Sequence, residues 1–540
     1  MTNRLQAQSL IAKAIINEFA KVGIRKFFVS PGSRSTLLAI AICELADSGQ
    51  VSFDICTDER SAAFKCLGFS KCSASPAALL CTSGSSVANY FPAIVEADRS
   101  HIPMIVITAD RPDELQDNGN NQTIKQTGIY GSYAKFSAEI DCSPDNSNIP
   151  HILGTVDFAV YSSKLPDAGV VHLNCKFCEP FFVCPESQNI SSKLLKKINS
   201  EECFTRYLTD LDIDDYSFGK TYSKPLFVFG ENSEKYRSFA DFAAELKIPV
   251  FADIMSGFRG CNSENVIKYY DEIIGTKDWK MLPDAVFYFG EKIISKKLMM
   301  YINDLVDRRD ADLLIINDSR SRFDPFSNSR YRITASPEKV RKMLDRIISG
   351  KRDLSTCVQT SSLQAGNLSE ELVRIVAEVL DFPSNLFLGN SLTIRLFDQF
   401  FFSYDVSKVR LFFNRGTSGI DGNIATVAGI ASASKKFTLG IIGDLTAFHD
   451  LNSLIHLRHS SSPICLVIIN NNGGGIFRKL PVNESEYFEQ AFLTPLNISF
   501  EKAAEMFSLD YFRVSSAEEL SVTLKQATGL SKSSVIEMMV

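Results

Sequence analysis

Residues 437–481 read FTLGIIGDLTAFHDLNSLIHLRHSSSPICLVIINNNGGGIFRKLP and contain two short apolar runs that end in polar residues. The first run, Phe437–Ile442, stops at Gly443-Asp444, and the second, Ile464–Ile469, stops at a run of asparagines and glycines. Leucine and isoleucine at helical spacing lie between them, so the stretch predicts a strand, a helix and a second strand. In an open α/β sheet, ligands bind at the carboxyl ends of such strands.

Three oxygen donors are expected to meet at these two strand ends. They are the carboxylate of Asp444, the side-chain oxygen of Asn471 and the backbone carbonyl of Gly473. Hard oxygen ligands of this kind suit Mg²⁺ holding a diphosphate, and glycines let the backbone approach phosphate closely. The alternative interpretation is a pair of ordinary turns, because Gly, Asp and Asn are common in turns.

Length and composition are those of a globular protein. The chain has 540 residues, 45% hydrophobic and 22% charged, which suggests about three domains. The net charge of −6 and the absence of a long basic run argue against a nucleic-acid partner. An anionic substrate would therefore have to be held by individual arginines rather than by a global field.

The cellular setting is predicted to be the cytoplasm. The first residues predict an amphipathic helix and not a secretion signal, and no stretch is apolar and long enough to span a membrane. The thirteen cysteines lack framework spacing, which favours reduced thiols. Cys175 and Cys178 lie in an apolar, strand-like run, so we interpret this pair as core residues and not as half of a zinc site.

Strands and helices alternate along most of the chain, which predicts α/β domains with doubly wound parallel sheets. We place three domains at residues 1–190, 191–350 and 351–540, with linkers near 190–220 and 350–368. The middle pattern shows no GxGxxG after any strand, so a dinucleotide fingerprint is absent. Basic clusters at Ser319–Arg322 and Arg330–Arg332 have no assigned role.

Polar residues follow the predicted strands of the first and third domains. In the first domain they include Arg34 in PGSRS, Glu59 in TDER, Arg111 in TADRP and Gln122 in an amide-rich loop. In the third domain they include Ser391 and Arg395 after one strand, and Arg415 and Ile420 after the next. Each residue alone is explained by a helix cap, a turn or a surface charge. Four arginines at the carboxyl edges of predicted sheets are harder to explain in that way.

Nine stretches taken together resemble one family. They are SPGSRS, TDERSAAF, TSGSSVANYFPAIVEA, TADRPDEL, NQTIKQTG, LGNSLTIRLFD, NRGTSGIDG, GDLTAFHDLNSL and NNNGGGIF. In this order they resemble the MenD family, the 2-succinyl-5-enolpyruvyl-6-hydroxy-3-cyclohexene-1-carboxylate synthases, which use thiamine diphosphate (ThDP). The resemblance implies pyrimidine-binding, central and diphosphate-binding domains, a cofactor held between two subunits, and at least a homodimer, with a homotetramer common.

The resemblance also implies a reaction. The family decarboxylates 2-oxoglutarate with ThDP and Mg²⁺ (Mn²⁺ being an alternative) and adds the succinyl-semialdehyde carbanion to isochorismate, in menaquinone biosynthesis. Carboxylates of such multiply anionic substrates call for bidentate guanidinium groups.

Roles for individual residues follow from the same resemblance. Glu59 matches the carboxylate that activates the cofactor, and Asp444, Asn471 and the Gly473 carbonyl match the metal ligands. The positions matching cofactor contacts or the apolar wall are Ser391, Ile420, Gly443, Leu445, Thr446, Ile476, Phe477 and Leu480. The substrate-facing positions are Arg34, Arg111, Gln122, Arg395 and Arg415.

Two alternatives stay open. One is another ThDP-dependent 2-oxo acid carboligase or decarboxylase, similar to acetolactate synthase. The other is a ThDP-fold subunit that binds without catalysing, although Glu59, Asp444 and Asn471 are all present. A nicotinamide or nucleotide protein is disfavoured, because its phosphate-binding motifs are missing.

Overall fold

The structure is a computed structural model, and it describes two compact units of the chain. The units are Met1–Thr209 with Ser319–Thr334, and Asp210–Asp318 with Ala335–Val540. The description leaves out residues 1, 74, 144–147, 166–167, 180, 182–197, 261–262, 264, 268, 275–281, 318–322, 350–367, 402–403, 406 and 416–417. The cluster Ser319–Arg322 and nearly all of the predicted linker at 350–368 lie outside the described residues. The three-domain boundaries stay a prediction.

Strands and helices alternate as predicted. The strands are β1 Lys26–Val29, β2 Ser52–Ile55, β3 Ala77–Cys81, β4 Met104–Asp110, β5 Ala134–Asp141, β6 Val170–Lys176, β7 Arg206–Thr209, β8 Pro225–Phe229, β9 Val250–Ala252, β10 Ala285–Phe289, β11 Asp312–Ile316, β12 Tyr331–Thr334, β13 Ser384–Leu388, β14 Val409–Phe413, β15 Thr438–Gly443, β16 Ile464–Asn470, β17 Asp510–Val514 and β18 Ser534–Met539. The helices are α1 Thr2–Lys21, α2 Thr36–Asp47, α3 Glu59–Ser73, α4 Ser85–Asn89, α5 Phe91–Arg99, α6 Ile149–Lys164, α7 Ser238–Glu245, α8 Tyr270–Ile273, α9 Lys296–Arg309, α10 Pro337–Ile347, α11 Leu368–Val379, α12 Leu392–Phe400, α13 Asn423–Ser434, α14 Asp444–His449, α15 Leu454–Arg458, α16 Glu501–Met506 and α17 Ala517–Thr528. No helix of the described part of the chain has the length and apolarity to cross a membrane.

The first sheet is parallel and has the strand order β2-β1-β3-β4-β6-β5. Its first strand pairs on both sides, with Phe27 opposite Phe53 on β2 and opposite Ala78 on β3. The chain therefore leaves β1 toward one edge and later continues from β3 toward the other. This topological switch point is where open α/β sheets bind ligands.

Alternating side chains of the first sheet fill two cores, one on each face. Phe27 packs with α1, α2 and α6, whereas its neighbour Phe28 packs with α3 and α5. Both faces are covered, so the inner strand β3 is apolar and buried at every position, as expected for a buried parallel sheet. Cys175 and Cys178 are buried free thiols on or next to β6. The first sheet is thus doubly wound, as predicted.

The third sheet repeats this topology within the second unit. Its order is β14-β13-β15-β16-β18-β17, the same pattern of neighbours as in the first sheet. Helices α11, α12 and α17 cover one face, and α13, α15 and α16 cover the other. Its switch point lies between β13 and β15, where the loops after Leu388 and Gly443 begin.

The middle strands are β7 to β12. In the second unit they run in parallel in the order β11-β10-β8-β9, and in the first unit β7 pairs with β12. At the switch point of β8 and β10, the loops after the two strands bond to each other: Glu231 N–H donates to the Lys292 carbonyl and Glu291 N–H to the Glu231 carbonyl, at 2.9 and 2.7 Å. A Cβ on Gly290 would lie 2.3 Å from the Glu231 carbonyl oxygen. Backbone therefore fills the place where a ligand would enter.

Several elements differ from the sequence predictions. Strands β5, β7 and β17 are not among the predicted strands. β7 and β17 mix polar and apolar residues at partly exposed positions. β5 alternates them with the period of a half-buried strand, a signal that the prediction missed. The basic cluster Arg330–Arg332 largely forms β12, with Arg332 buried. The single helix predicted between β15 and β16 is broken at Asp450, whose carboxylate accepts from Ser453 Oγ and from the Ile424 N–H at the start of α13.

One histidine is locked inside the first sheet. His172 on β6 is buried, with Nε2 2.8 Å from Thr108 Oγ1 and its ring edge-on to Tyr130. The Thr108 hydroxyl hydrogen is used on Asn174 Oδ1 at 2.7 Å, so His172 Nε2 carries the proton and donates. Burial lowers the pKa of His172 to about 4.

This histidine makes stability depend on pH. The pKa of His172 in the folded protein lies below its value of about 6.5 in the unfolded chain. The contribution of the buried neutral imidazole to folding stability is therefore complete above pH 6.5 and is lost as the pH falls toward 4. Relative to His172→Gln, wild-type protein should lose about 2 kcal/mol of unfolding free energy between pH 7.5 and pH 5, measured by urea denaturation. His456→Gln at an exposed position is the control, and parallel pH profiles for wild type and His172→Gln would contradict the prediction.

Candidate active site

Four loops at the carboxyl edge of the first sheet carry the predicted site residues of the first unit. They follow β1, β2, β3 and β4, and the β1 and β3 loops touch at the switch point. A Cβ on Gly32 would lie 2.3 Å from the Cβ of Thr82, so only glycine fits there. This close approach brings the loop of Arg34 against the loop of Ser83. We call this group of loops the first half-site.

Arg111 is anchored through one of its two terminal nitrogens. Its NH1 group donates to Ser83 Oγ at 2.6 Å and to the Gln122 carbonyl at 2.8 Å. Gln122 has a positive φ of 57° and donates from Nε2 to the Ser83 carbonyl at 2.8 Å. Because a carbonyl only accepts, the amide orientation of Gln122 is determined, and Oε1 is the end that points away from this bond.

A buried polar network supports these loops from inside the sheet. Gln126 donates to Asn174 Oδ1 at 2.9 Å and accepts from the Gly84 N–H at 3.0 Å. Asn174 donates to Asp110 Oδ2 at 2.9 Å. Burial raises the pKa of Asp110, and its bonds from Asn174 and the Arg111 N–H oppose that rise. The network fixes the β3 and β4 loops relative to each other.

Arg34 is buried and already engaged. Its two terminal nitrogens donate to the Phe177 carbonyl and to Glu179, each at 3.0 Å, and its guanidinium lies 4.5 Å from the ring centre of Phe181. Its pKa is lowered by burial and by the charge of Arg111, while Glu179 acts in the opposite direction. Arg34 and Arg111 therefore form one electropositive patch.

Glu59 is the first residue of α3 and accepts a hydrogen bond from Ser86 Oγ at 2.7 Å. The bond goes to Oε1, and Oε2 has no hydrogen-bond partner among the residues that the structure describes. One oxygen of the carboxylate is thus held in place, and the other is available to a ligand.

The second half-site lies at the carboxyl edge of the third sheet, in the second unit. Asp444 follows β15 directly and is buried. Its Oδ1 accepts from the Leu445 N–H at 2.7 Å and its Oδ2 from the Gly473 N–H at 2.8 Å. Burial raises the pKa of Asp444, and these backbone donors oppose the rise. Gly443 and Leu445 flank Asp444 in the chain, and Thr446 follows.

The glycines after β16 are required by close packing. Gly473 has φ +123°, and a Cβ there would lie 2.1 Å from the Leu493 carbonyl oxygen. A Cβ on Gly475 would lie 2.6 Å from Nδ2 of Asn471. The loop is therefore pressed between Asn471 and the segment around Leu493, which determines where the Gly473 N–H meets Asp444.

Apolar side chains follow the glycines. Ile476 and Phe477 lie in a 3-10 turn, Gly475–Lys479, and the Phe477 ring packs against Phe492 at 5.8 Å between ring centres. Leu480 comes next and is 47% exposed. These residues follow the Gly473 loop in the chain, and none of the three is buried.

The β13 and β14 loops carry the remaining predicted residues. Ser391 directly precedes α12 and has a positive φ of 68°. Arg395, in the first turn of α12, donates from NH1 to the Ser391 carbonyl at 2.5 Å. Arg415 donates from NH1 to Asn390 Oδ1 at 2.9 Å. Burial lowers the pKa of Arg395. The pKa of Arg415 is lowered mainly by burial and, to a smaller extent, by the charge of Arg395. The two guanidinium groups therefore form a second electropositive patch, and Ile420 lies on the same loop as Arg415.

The structure gathers the predicted residues into two groups. Arg34, Glu59, Arg111 and Gln122 lie at the carboxyl edge of the first sheet, and the others lie at the carboxyl edge of the third. The sequence reasoning missed the partners that hold them, namely Ser83, Ser86, Glu179 and Asn390. A sequence signal existed only for Ser83 and Ser86, which lie in a polar motif at a strand end. None of the pairings could be predicted, because the residues that bond to each other are distant in the chain.

The residues of the second half-site fit a diphosphate with a divalent cation. Asp444, Asn471 and the Gly473 carbonyl supply a carboxylate, an amide oxygen and a carbonyl oxygen, a set suited to Mg²⁺ when phosphate oxygens complete it. No group of three or more His, Cys, Asp or Glu side chains among the described residues is placed to hold a metal ion. A cation at Asp444 therefore depends on the neutral oxygens and on the phosphate.

Two family models match the chain. Residues 10–129 match the N-terminal TPP-binding domain of thiamine pyrophosphate enzymes, and residues 399–538 match the C-terminal TPP-binding domain. The first match covers β1 to β4 and the loops that follow them, and the second covers β14 to β17 and most of β18, with Asp444, Asn471 and Gly473.

Curated relatives match over nearly the whole chain. A 2-succinyl-5-enolpyruvyl-6-hydroxy-3-cyclohexene-1-carboxylate synthase of Chlorobium phaeobacteroides is 35% identical, over 99% of this chain and 95% of its own length. A protein of the same name from Oceanobacillus iheyensis is 33% identical, over 97% and 93% of the two chains. Among solved structures, benzoylformate decarboxylase of Polynucleobacter necessarius is 14% identical over 98% of both chains, with a TM-score of 0.46.

The packing of Gly473 predicts a sharp response to a single methyl group. Gly473→Ala should lower the unfolding free energy by about 2–4 kcal/mol, because the new Cβ meets a backbone oxygen and the positive φ disfavours alanine. Thermal unfolding measures this. Gly429→Ala on α13, where a Cβ meets nothing within 4 Å, is the matched control and should be neutral or stabilising. An unchanged melting temperature for Gly473→Ala would show that the loop is not packed in this way.

Proposed function

The chain belongs to the 2-succinyl-5-enolpyruvyl-6-hydroxy-3-cyclohexene-1-carboxylate synthase family of ThDP enzymes, and from this premise we propose its substrates and the roles of its site residues. The substrates are 2-oxoglutarate, which is decarboxylated, and isochorismate, to which the remaining four-carbon unit is joined, in menaquinone biosynthesis. The observation that carries this proposal is the position of Asp444 and the Gly473 loop at one sheet edge with Arg395 and Arg415.

Cofactor binding is assigned to the second half-site. Asp444, Asn471 and the Gly473 carbonyl hold Mg²⁺, with Mn²⁺ as an alternative, and the cation holds the diphosphate. The residues that surround the cofactor are Ser391, Ile420, Gly443, Leu445, Thr446, Ile476 and Phe477. When bound, ThDP supplies the nucleophilic carbon that makes decarboxylation of a 2-oxo acid possible.

Glu59 is assigned to proton control at the cofactor's ring nitrogen. The Ser86 hydroxyl donates to one carboxylate oxygen, so the carboxyl group is held in one orientation. With Oε1 held by Ser86, Oε2 would be the oxygen that holds a proton against a ring nitrogen of the cofactor, and bound ThDP would itself supply the base chemistry. A carboxylate is required here because an amide cannot exchange this proton.

The arginines are assigned to the substrate carboxylates. Both hydrogens of NH1 in Arg111 are used on Ser83 and Gln122, so Nε–H and NH2 are the donors that remain for a ligand. Side-by-side donors of this kind bind a carboxylate in a bidentate manner. Arg395 and Arg415 contribute in the same way, since each uses NH1 on the protein. Arg34 contributes mainly positive charge, because both of its terminal nitrogens already donate to Phe177 and Glu179. Gln122 orients substrate through Oε1.

The assembly that we propose is a homodimer or a homotetramer in the cytoplasm. In this family the cofactor is held between two subunits, so a homodimer is the smallest active form. Nucleic acid and membrane are not expected partners. Analytical ultracentrifugation with and without ThDP tests the proposed assembly.

Two other functions compete with this proposal. Another ThDP-dependent 2-oxo acid carboligase, similar to acetolactate synthase, would use the same cofactor site with smaller, less charged substrates. The four arginines, with pKa values of three of them lowered by burial, favour multiply anionic substrates instead. An inactive binding subunit is the second competitor, and the retention of Glu59, Asp444 and Asn471 disfavours it.

The deciding experiment measures CO₂ release with ThDP and Mg²⁺ from 2-oxoglutarate and from pyruvate, each with and without isochorismate. The proposal expects release from 2-oxoglutarate that rises with isochorismate, with a coupled product of the two substrates. Release from pyruvate alone would move the enzyme to the carboligase alternative. Absence of any ThDP-dependent release would support the binding subunit.

Glu59→Gln tests the assignment of the proton-sharing carboxylate. The variant keeps the size of the side chain, so it should fold and bind ThDP, yet its turnover should fall by about 100-fold or more. Glu96→Gln is the matched control, because Glu96 also accepts a serine hydroxyl, at 2.8 Å from Ser100, on an exposed face of α5. Wild-type turnover in Glu59→Gln would remove Glu59 from this role.

A further inference from the structure

The end of β13 carries a buried asparagine whose hydrogen bonds all go to the loop after β14. Asn390 is 4% exposed. Its Nδ2 donates to the carbonyls of Asn414 and Gly419 at 2.9 and 2.7 Å, and its Oδ1 accepts from Arg415 NH1 at 2.9 Å. We use the name β14 loop for the described residues 414–415 and 418–420, which include Arg415 and Ile420.

The chemistry of these partners permits one orientation of the amide. Carbonyl oxygens only accept hydrogen bonds and a guanidinium only donates them. A flipped amide would lose all three bonds, and an aspartate would present lone pairs to both carbonyls. The Nδ2 donors and the Oδ1 acceptor of asparagine thus both match their partners at this position. A residue that only filled space would not need this match.

Arg415 is held in a way that leaves part of its guanidinium for a ligand. NH1 of Arg415 donates a hydrogen bond to Asn390, whereas the Nε–H of Arg415 is buried and has no hydrogen-bond partner among the described residues. A buried donor without a partner is costly, so its place in the fold points to a ligand. A carboxylate meeting Nε–H and NH2 side by side would satisfy it and would offset the repulsion from Arg395.

A second contact fixes the backbone of the same residue. Lys292 Nζ donates to the Arg415 carbonyl at 3.1 Å. The backbone is therefore held from one side and the guanidinium from the other, so the direction of the free Nε–H depends mainly on Asn390.

We infer that Asn390 is a positioning residue, which sets the free edge of the Arg415 guanidinium for a substrate carboxylate by holding the β14 loop to the end of β13. This inference rests on the proposed function, because it takes Arg415 as a substrate-binding group. Asn390 itself touches neither substrate nor cofactor in this assignment. The side chain of residue 390 has to be neutral, because a carboxylate there would compete with the substrate for Arg415.

The test compares Asn390→Ala with Asn385→Ala. Asn385 is the matched control, because it is a fully buried asparagine at the other end of β13 that also donates twice, to Ser434 and Thr438 hydroxyls at 2.7 and 3.0 Å. Both variants should lose stability. Only Asn390→Ala should raise one KM, by about tenfold or more, with kcat changed less than about threefold.

Arg415→Ala identifies which substrate is concerned, and the double variant tests whether Asn390 acts through Arg415. The KM raised by Asn390→Ala should be that of the same substrate, and the double variant should be no worse than Arg415→Ala. Fully additive effects, or an unchanged KM in Asn390→Ala, would overturn the inference. Asn390→Asp should be impaired as well, and wild-type kinetics for it would show that the two carbonyl bonds do not matter.

A measurement without substrate separates this inference from the proposed function. Hydrogen–deuterium exchange of peptides covering residues 410–422 should be faster in Asn390→Ala than in wild type and in Asn385→Ala. Unchanged exchange would overturn the inference whatever the enzyme turns over. Faster exchange in a protein whose wild type makes no product from 2-oxoglutarate and isochorismate would keep the role of Asn390 in the loop and reject the proposed function.

Discussion

The switch point of a parallel sheet is the constraint on which both half-sites depend. At β1/β3 and again at β13/β15, the chain leaves two neighbouring strands in opposite directions, and the loops after these strands carry predicted site residues. Each opening has a backbone that approaches closely, at Gly32 and at Gly473. The middle sheet has the same kind of switch point at β8/β10, but backbone hydrogen bonds between the loops of Gly230 and Gly290 close it.

Neutral amides, more than ion pairs, hold the groups that the proposed function uses. Gln122 holds the β3 loop and Asn390 holds the β14 loop by donating to backbone carbonyls. Gln126 accepts from the Gly84 N–H of the β3 loop and donates to the Ala109 carbonyl on β4. An amide can donate to the backbone and accept from an arginine without neutralising its charge. Arg34 is the exception, since Glu179 pairs with it at 3.0 Å. Positive charge is thus kept at the sheet edges of a chain whose net charge is −6.

The arginines also show why local charge matters more than net charge. Arg34 with Arg111, and Arg395 with Arg415, are like-charged neighbours, and burial is the largest cause of each pKa depression recorded among them. Guanidinium groups stay protonated under such conditions, so the free energy of repulsion is retained in the fold. In the proposed function, a multiply anionic substrate relieves that repulsion, so we expect the stability of these loops to depend on occupancy of the site.

The sequence by itself determined the α/β class, the doubly wound pattern of the first and third sheets, and the strand-end positions of Asp444, Arg34 and Arg415. These follow from apolar runs and polar strand ends, which are local signals. The edge strand β5 was missed although its residues, AKFSAEID, alternate apolar and polar side chains with the period of a half-buried strand. Only the tertiary structure decided that the middle switch point is closed and that Ser83, Ser86 and Asn390 hold the site residues. Their partners lie far away in the chain, and hydrogen bonds between distant residues leave no periodicity to read.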